Sequence, residues 1–281
     1  MEGPALYIVA TPIGNLGDFS PRAVEILREA DFIAAEDTRV TQKLLAKFDI
    51  AKPMVSYYAH NLRGRGEELL GRLRAGACCA LVSDAGTPAI SDPGEVIVAQ
   101  CRAEGIPVYT VPGPCAAVSA LAISGLPTGR FSFEGFLSAK AGERRAALAE
   151  LAAERRTMIF YEAPHKLRST LSDMAAAFGA ERRIFLGREL TKLHEEGILT
   201  TLGEAVARYG ENEPRGEFVL CVEGAAPEEK KVLTAEEASR ELSGEQSARD
   251  NVRAAREKGL SRNEAYRAAL LAKRAAEQAE G

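Results

Sequence analysis

Three short runs set a carboxylate close to a cation or an imidazole: AEDTR over 35–39, YEAPHK over 161–166 and RELTK over 188–192. Asp37 with Arg39, Glu162 with His165, and Glu189 with Lys192 are groups that can accept or hold a proton while a bond is made elsewhere. Each run lies at the end of a β-type stretch, and in α/β sheets the carboxyl ends of strands border the ligand crevice. The same spacings suit internal ion pairs, such as Glu189 and Lys192 at the i, i+3 separation of a helix, so both readings stay open.

A fourth run, SDAGTPAISDPG over 83–94, packs two Gly, two Pro and two Asp between the apolar ACCALV and a helical pattern. Gly86 lets backbone approach a ligand closely because no Cβ stands in the way. Pro88 and Pro93 stiffen the loop and reduce the entropy lost on ordering it. An acid after the second strand, Glu36 or Asp37, invites a dinucleotide reading in which it takes ribose hydroxyls. The first loop, ATPIGNLGDFS, however offers Gly14 and Gly17 without G-x-G-x-x-G, and Walker A is absent, so a nicotinamide enzyme is not expected. Nor is a metal: His60, His165 and His194 lie far apart, and the five Cys show no C-x-x-C spacing.

The elements that must position these groups follow from periodicity. LYIVA (6–10), FIAAE (32–36), MVSYY (54–58), CCALVSD (78–84) and PVYTV (107–111) read as strands separated by helical patterns, which predicts a mostly parallel sheet covered on both faces. Pro112-Gly113-Pro114 interrupts the pattern and is a credible boundary. A second set, FSFEGF (131–136), TMIFYEA (157–163), RRIFLG (182–187), GILTTL (197–202) and GEFVLCVEG (216–224), reads as a mixed α/β sheet with antiparallel pairs. After the polar linker AAPEEKK, Thr234 to Glu237 and Ser261 to Glu264 have capping-box spacing, with Gly259 at a C′ position between them. The outline resembles a helix-turn-helix. The expected domains are 1–112, 113–226 and 232–281.

At 281 residues, 46% hydrophobic and 27% charged, the chain has the composition of a soluble protein with real cores. MEGPALYIVATPIGN has no basic n-region, and no window approaches a membrane span, so a cytoplasmic protein is expected. The net charge of −4 does not announce a nucleic-acid binder. Between Arg249 and Arg274, though, eight basic residues face three acids, which is either a solvated helix face or a phosphate-binding one.

Together with LYIVATPIGNLGD, AEDTR, VPGPCAA, FEGFL, TMIFYEAPHK, RELTKLHEE and RGEFVLCVEG, the SDAGTPAISDPG run resembles the tetrapyrrole methylase family. Within it, the chain resembles the branch that 2′-O-methylates a cytidine ribose in the decoding region of small-subunit ribosomal RNA. The motifs run in order from about Leu6 to Gly224, and the C-terminal helices fit that branch's tail. The resemblance implies two α/β domains with S-adenosylmethionine in the cleft between them, and a homodimer. It places cofactor contacts at Pro12, Gly14, Asp84, Ala85, Gly86, Thr87, Cys115, Ala116 and Leu190. Asp84 would receive the methionine ammonium or support the loop, a plain Asx turn being the alternative. Cys115 stands where Ser is expected, which would alter one hydroxyl contact, Ala89 where Gly is expected and Arg215 where Lys is common.

Methyl transfer from a sulfonium is an in-line displacement, so positioning supplies much of the rate. A ribose hydroxyl is a weak nucleophile and wants an acceptor beside it; Asp37, Glu162, His165 and Glu189 are the candidates. For RNA, the expected contacts are Arg39, His60, Arg63, Arg65, Lys192, Arg253 and Arg262, with Tyr57, Tyr58 and His60 available for stacking. Sheet packing is the plainer reading of the two tyrosines. The rival functions are a tetrapyrrole C-methyltransferase of the same fold and a non-catalytic RNA-binding protein.

Overall fold

A computed structural model of the chain describes residues 3–58, 62–210, 214–227, 234–242 and 246–279, without the side chains at 62, 63 and 279. The first half alternates β1 (Ala5–Val9), α1 (Pro21–Glu29), β2 (Phe32–Ala35), α2 (Thr38–Lys47), β3 (Met54–Ser56), α3 (Leu62–Arg74), β4 (Cys78–Val82), α4 (Glu95–Ala103) and β5 (Val108–Val111). All its strand pairs are parallel, in the order β3-β2-β4-β1-β5. The central strands β2 and β4 are buried at every residue, as a sheet covered on both faces requires. Apolar layers lie on each side, one around Leu27 and Ile33, the other around Leu69, Leu81 and Ile97. Ser20 caps α1 by accepting from the Ala23 N–H, with Pro21 opening the helix.

This strand order creates the crevice. β1 and β4 are neighbours, but the chain leaves β1 toward β2 and leaves β4 toward β5, on opposite sides, so their two loops diverge at a switch point. Thr11 and Gly86 then tie the loops together through reciprocal backbone hydrogen bonds of 2.9 and 3.1 Å. Gly86 sits at φ +84°, a conformation that a side chain would strain.

After Pro112-Gly113-Pro114, the second half comprises α5 (Ala116–Ile123), β6 (Phe131–Phe136), α6 (Ala141–Glu150), β7 (Thr157–Glu162), α7 (Pro164–Phe178), β8 (Arg183–Arg188), β9 (Glu196–Thr201), α8 (Leu202–Gly210) and β10 (Phe218–Val222). The sheet runs β6-β7-β10-β8-β9, with β6 and β7 parallel and every other pair antiparallel. One face packs Leu148, Phe160, Leu171 and Leu202 under α6, α7 and α8; the other packs Ile159, Phe185 and Cys221 under α5.

Both sheets belong to one compact unit, Met1–Ala225, and the C-terminal residues form another, Ala226–Gly281. The latter contains α9 (Ala235–Ser239), α10 (Ala248–Glu257) and α11 (Arg262–Ala279) around a small alanine-rich core with Leu260. Both expected capping boxes form, at Thr234/Glu237 and Ser261/Glu264. Gly259, at φ +93°, follows the α10 C-cap.

Candidate active site

The carboxyl ends of strands from both sheets enclose a cavity of about 550 Å³, a size suited to a nucleoside-sized ligand. One wall comes from the first sheet: Ile13 after β1, Glu36 after β2, and the loop from Asp84 to Asp92 after β4. The opposite wall comes from Phe136 at the end of β6, Tyr161 to His165 at the β7–α7 junction, and Leu190 with Lys192 after β8. Cys115 and Ala116 at the start of α5, packed against the cluster that holds Val219, and Glu217 to Val219 of the β10 region complete the lining.

Local chemistry explains how the walls hold their shape. Thr87 Oγ1 donates to the Pro114 carbonyl at 3.1 Å, joining the loop after β4 to the one before α5. Lys192 lies across Gly14, where any Cβ would overlap its side chain, and its ammonium reaches Glu189 Oε1 at 2.9 Å and Glu217 Oε2 at 2.8 Å. Burial works against the Lys192 charge, but hydrogen bonds to Glu217 and Glu189 prevail and leave its pKa raised. Among the described residues, five non-glycine residues have left-handed backbone, and four of them, Ala89, Ser91, Glu189 and Thr191, stand in the loops after β4 and β8. Such strain is commonly concentrated at ligand sites.

The structure brings Asp84, Ala85, Gly86, Thr87, Cys115, Ala116, Glu162, His165, Leu190 and Lys192 to the cavity wall. Pro12 and Gly14 do not line it; they shape the loop from which Ile13 does. Asp37 is off the wall as well. It caps α2 by accepting from the Arg39 N–H and forms a two-pronged pair with the same guanidinium. That pair, with the backbone bond next, pulls its pKa down to about 2. Glu162 is buried, accepting from the Ala163 N–H at 2.9 Å and from Thr170 Oγ1 at 2.5 Å, and pairs with Lys166 at 2.9 Å. Glu189 lies behind Lys192, whose hydrogen bond is the largest influence holding its pKa down.

Among the RNA candidates, Arg39 is exposed beside the cavity and tied to Asp37, and Arg65 pairs with Glu68 at 2.5 Å. His60 and the Arg63 side chain lie outside the described residues. Tyr57 has no exposed surface, since it packs with Leu69 and Leu70, so of the two tyrosines only Tyr58 is presented to solvent. In the C-terminal unit, Arg253 pairs with Glu257 at 3.2 Å, and Arg262 borders a surface hollow with Val252, Asn263 and Tyr266.

Sequence reasoning did not single out Asp92, Phe136, Tyr161 or Glu217, and it weighed Glu36 only for a dinucleotide. Burial, then the Asp92 and Asp84 charges, raise the Glu36 pKa; burial likewise raises that of Asp92. Three carboxylates therefore converge on one end of the cavity. Tyr161 accepts from the Ala117 N–H at 3.2 Å and stacks edgewise on Phe133, and burial pushes its hydroxyl up to about 12. The SDPG ending of the loop after β4 and the aromatics of FEGFL were the available signals.

The model of the Tetrapyrrole (Corrin/Porphyrin) Methylases matches residues 5–206. The chain is 51% identical over 262 residues to the ribosomal RNA small subunit methyltransferase I of Synechocystis, covering 93% of this chain and 90% of the relative. It is 49% identical over 227 residues to the protein of that name from Escherichia coli O157:H7, covering 80% and 79%. Among solved structures, it is similar in fold to a uroporphyrin-III C-methyltransferase from Thermus thermophilus complexed with S-adenyl homocysteine, with a TM-score of 0.54 and 21% identity over 78% of this chain and 97% of that one. A diphthine synthase matches with a TM-score of 0.57 and 14% identity, covering 78% and 90%.

Proposed function

Because the chain belongs to the tetrapyrrole methylase family, among the ribosomal RNA small subunit methyltransferase I proteins, we propose that it transfers a methyl group from S-adenosylmethionine to the 2′-oxygen of a cytidine ribose in the decoding region of small-subunit ribosomal RNA. The observation that carries this reading is half-identity to such relatives over nearly the whole chain, with the cavity walled by the very runs that supported the resemblance.

The donor set fits the cofactor. Its ammonium and sulfonium are cationic, and Asp84 and Asp92 provide negative charge on the cavity wall, while Ile13, Cys115, Ala116 and Leu190 offer apolar and small surfaces. Asp84, Ala85, Gly86 and Thr87 would hold it, with Gly86 allowing close backbone approach and Pro12 and Gly14 shaping the adjoining loop. When bound, it supplies an electrophilic methyl carbon and a neutral thioether leaving group.

The remaining residues orient and polarise. Lys192, kept charged by Glu189 and Glu217, presents a fixed cation at the wall for a phosphate of the RNA. Arg39, Arg65, Arg253 and Arg262 are further proposed RNA contacts, as are His60 and Arg63. Glu162 orients the β7–α7 junction through the Ala163 N–H and Lys166.

We further propose a homodimer. α5 is apolar around almost its whole circumference, yet Val118 is 54% and Ile123 55% exposed; a helix of that composition wants cover on every side, and a second copy would provide it. Acting on ribosomal RNA, the enzyme would work in the cytoplasm, and among the described residues no helix is long and apolar enough to cross a membrane.

The test offers purified protein labelled S-adenosylmethionine and small subunits from cells lacking the gene. Label on one cytidine ribose, located by nuclease digestion and mass spectrometry, is the expected result. Tight cofactor binding without transfer to subunits or free RNA would point to a tetrapyrrole substrate, and absence of cofactor binding to a non-catalytic RNA-binding protein.

A further inference from the structure

The end of β2 carries two adjacent carboxylates, and the structure assigns them different work. Asp37 turns away to cap α2 and hold Arg39, while Glu36 lines the cavity. The other acids nominated from sequence each accept hydrogen bonds that include one from a cation. Glu162 serves the Ala163 N–H, Thr170 and Lys166, and Glu189 serves Lys192 and the Glu217 N–H. A carboxylate in such a setting is a weak proton acceptor, because taking a proton means losing a charge-assisted bond. Asp84 is partly committed too, its Oδ1 accepting from the Asp37 N–H at 3.0 Å.

Glu36 accepts one neutral backbone hydrogen bond, from the Asp84 N–H, and the charges around it are negative. Asp84 and Asp92 face it from the loop after β4, Asp37 adjoins it, and the Arg39 guanidinium is engaged by Asp37. Half-burial comes first and the neighbouring negative charges next in raising its proton affinity above that of an ordinary carboxylate; Asp92 on the same wall is raised by burial too, but it takes a hydrogen bond from the Ser83 side chain.

We propose that Glu36 is the catalytic base that takes the proton of the ribose 2′-hydroxyl. The inference rests on the methyltransferase reading above. The hydroxyl oxygen forms a bond to the methyl carbon, the methyl–sulfur bond breaks with its electron pair passing to sulfur, and the proton passes to a Glu36 oxygen. The sulfonium cation and the carboxylate anion thus end as a neutral thioether and a neutral acid, and Glu36 returns its proton to solvent before the next turnover.

The experiment compares the full-length chain with Glu36→Gln and Asp37→Asn in single-turnover methylation of small subunits across pH. The parent enzyme loses activity as pH falls through the raised Glu36 pKa. Glu36→Gln lowers the rate by about 10²–10⁴-fold and abolishes that acid limb, whereas Asp37→Asn keeps it. Two readouts are independent of turnover. Calorimetric affinity of Glu36→Gln for S-adenosylmethionine stays within about threefold of the parent, a shift under about 0.7 kcal/mol. Carboxyl ¹³C titration of the free protein shows one glutamate, absent from Glu36→Gln, titrating above the ordinary value of 4.5. An unchanged rate and acid limb in Glu36→Gln would overturn the proposal. So would a loss of cofactor affinity matching the loss of rate, which would make Glu36 a cofactor ligand. If the parent moves no methyl to RNA, the underlying reading fails, and this one with it.

Discussion

Ala89 holds a backbone conformation, φ +68°, that glycine adopts freely and alanine does not. The left-handed region costs a residue with a Cβ about 1–2 kcal/mol, and glycine gives back about 0.4–1 kcal/mol through its looser unfolded state. Ala89→Gly should therefore stabilise the chain by up to about 1 kcal/mol, seen as a small rise in the denaturant midpoint. Cys115 stands at the N-cap of α5 without a side-chain bond to the helix, so Cys115→Ser should add the missing N-cap and about 1 kcal/mol of stability by the same measurement. At this scale the sequence was legible only in part. AEDTR marked the end of β2, but adjacent residues there point different ways, and a cap bond at Asp37 decided which carboxylate reached the cavity. That competition between a local backbone donor and an open cleft is not written in residue types.

Elements were easier to read, because periodicity reports burial directly. β6 runs over Phe131–Phe136, as FSFEGF predicts. MVSYY shortens to Met54–Ser56, although the Tyr57 N–H still donates to the Ala35 carbonyl at 2.8 Å and continues the pairing with β2. Between α6 and α7, buried Arg144 pairs with Asp173 at 2.7 Å, and Arg145 joins at 2.9 Å. Burial favours protonated Asp173, but Arg145 and Arg144 outweigh it and leave the pKa lowered. A carboxylate held low in the folded chain contributes stability that is complete above its unfolded pKa and lost as pH falls through the folded one. Asp173→Asn should cost about 3 kcal/mol near neutrality, by leaving Arg144 buried without its partner, and should flatten the acid limb of the stability-versus-pH curve.

At the scale of the molecule, motif order placed both sheets, but strand order was not legible, since nothing local says that β4 inserts between β1 and β2. The meeting of AEDTR, RELTK and the SDAGTPAISDPG loop around one cavity depends on that insertion. Two predictions belong here. Val118→Asp with Ile123→Asp should convert the proposed dimer to a monomer in sedimentation equilibrium, because both changes place charge on the exposed apolar face of α5. Charge reversal at Arg253 and Arg262 should weaken binding to small subunits at fixed salt and make the affinity less dependent on salt, as loss of phosphate contacts requires. Unchanged binding would remove the C-terminal unit from the RNA interface.

The paired hydrogen bonds between Thr11 and Gly86 have a kinetic corollary. Two loops that would otherwise sample separate shapes travel as one rigid ledge, so a ligand landing on it finds no slow rearrangement to wait for. Arrival should then proceed in one concentration-proportional phase, with the residence time set by departure alone. A Gly86 variant, which unsettles that ledge, should reveal itself as a second, concentration-independent phase in stopped-flow mixing before any effect on methyl transfer is measured.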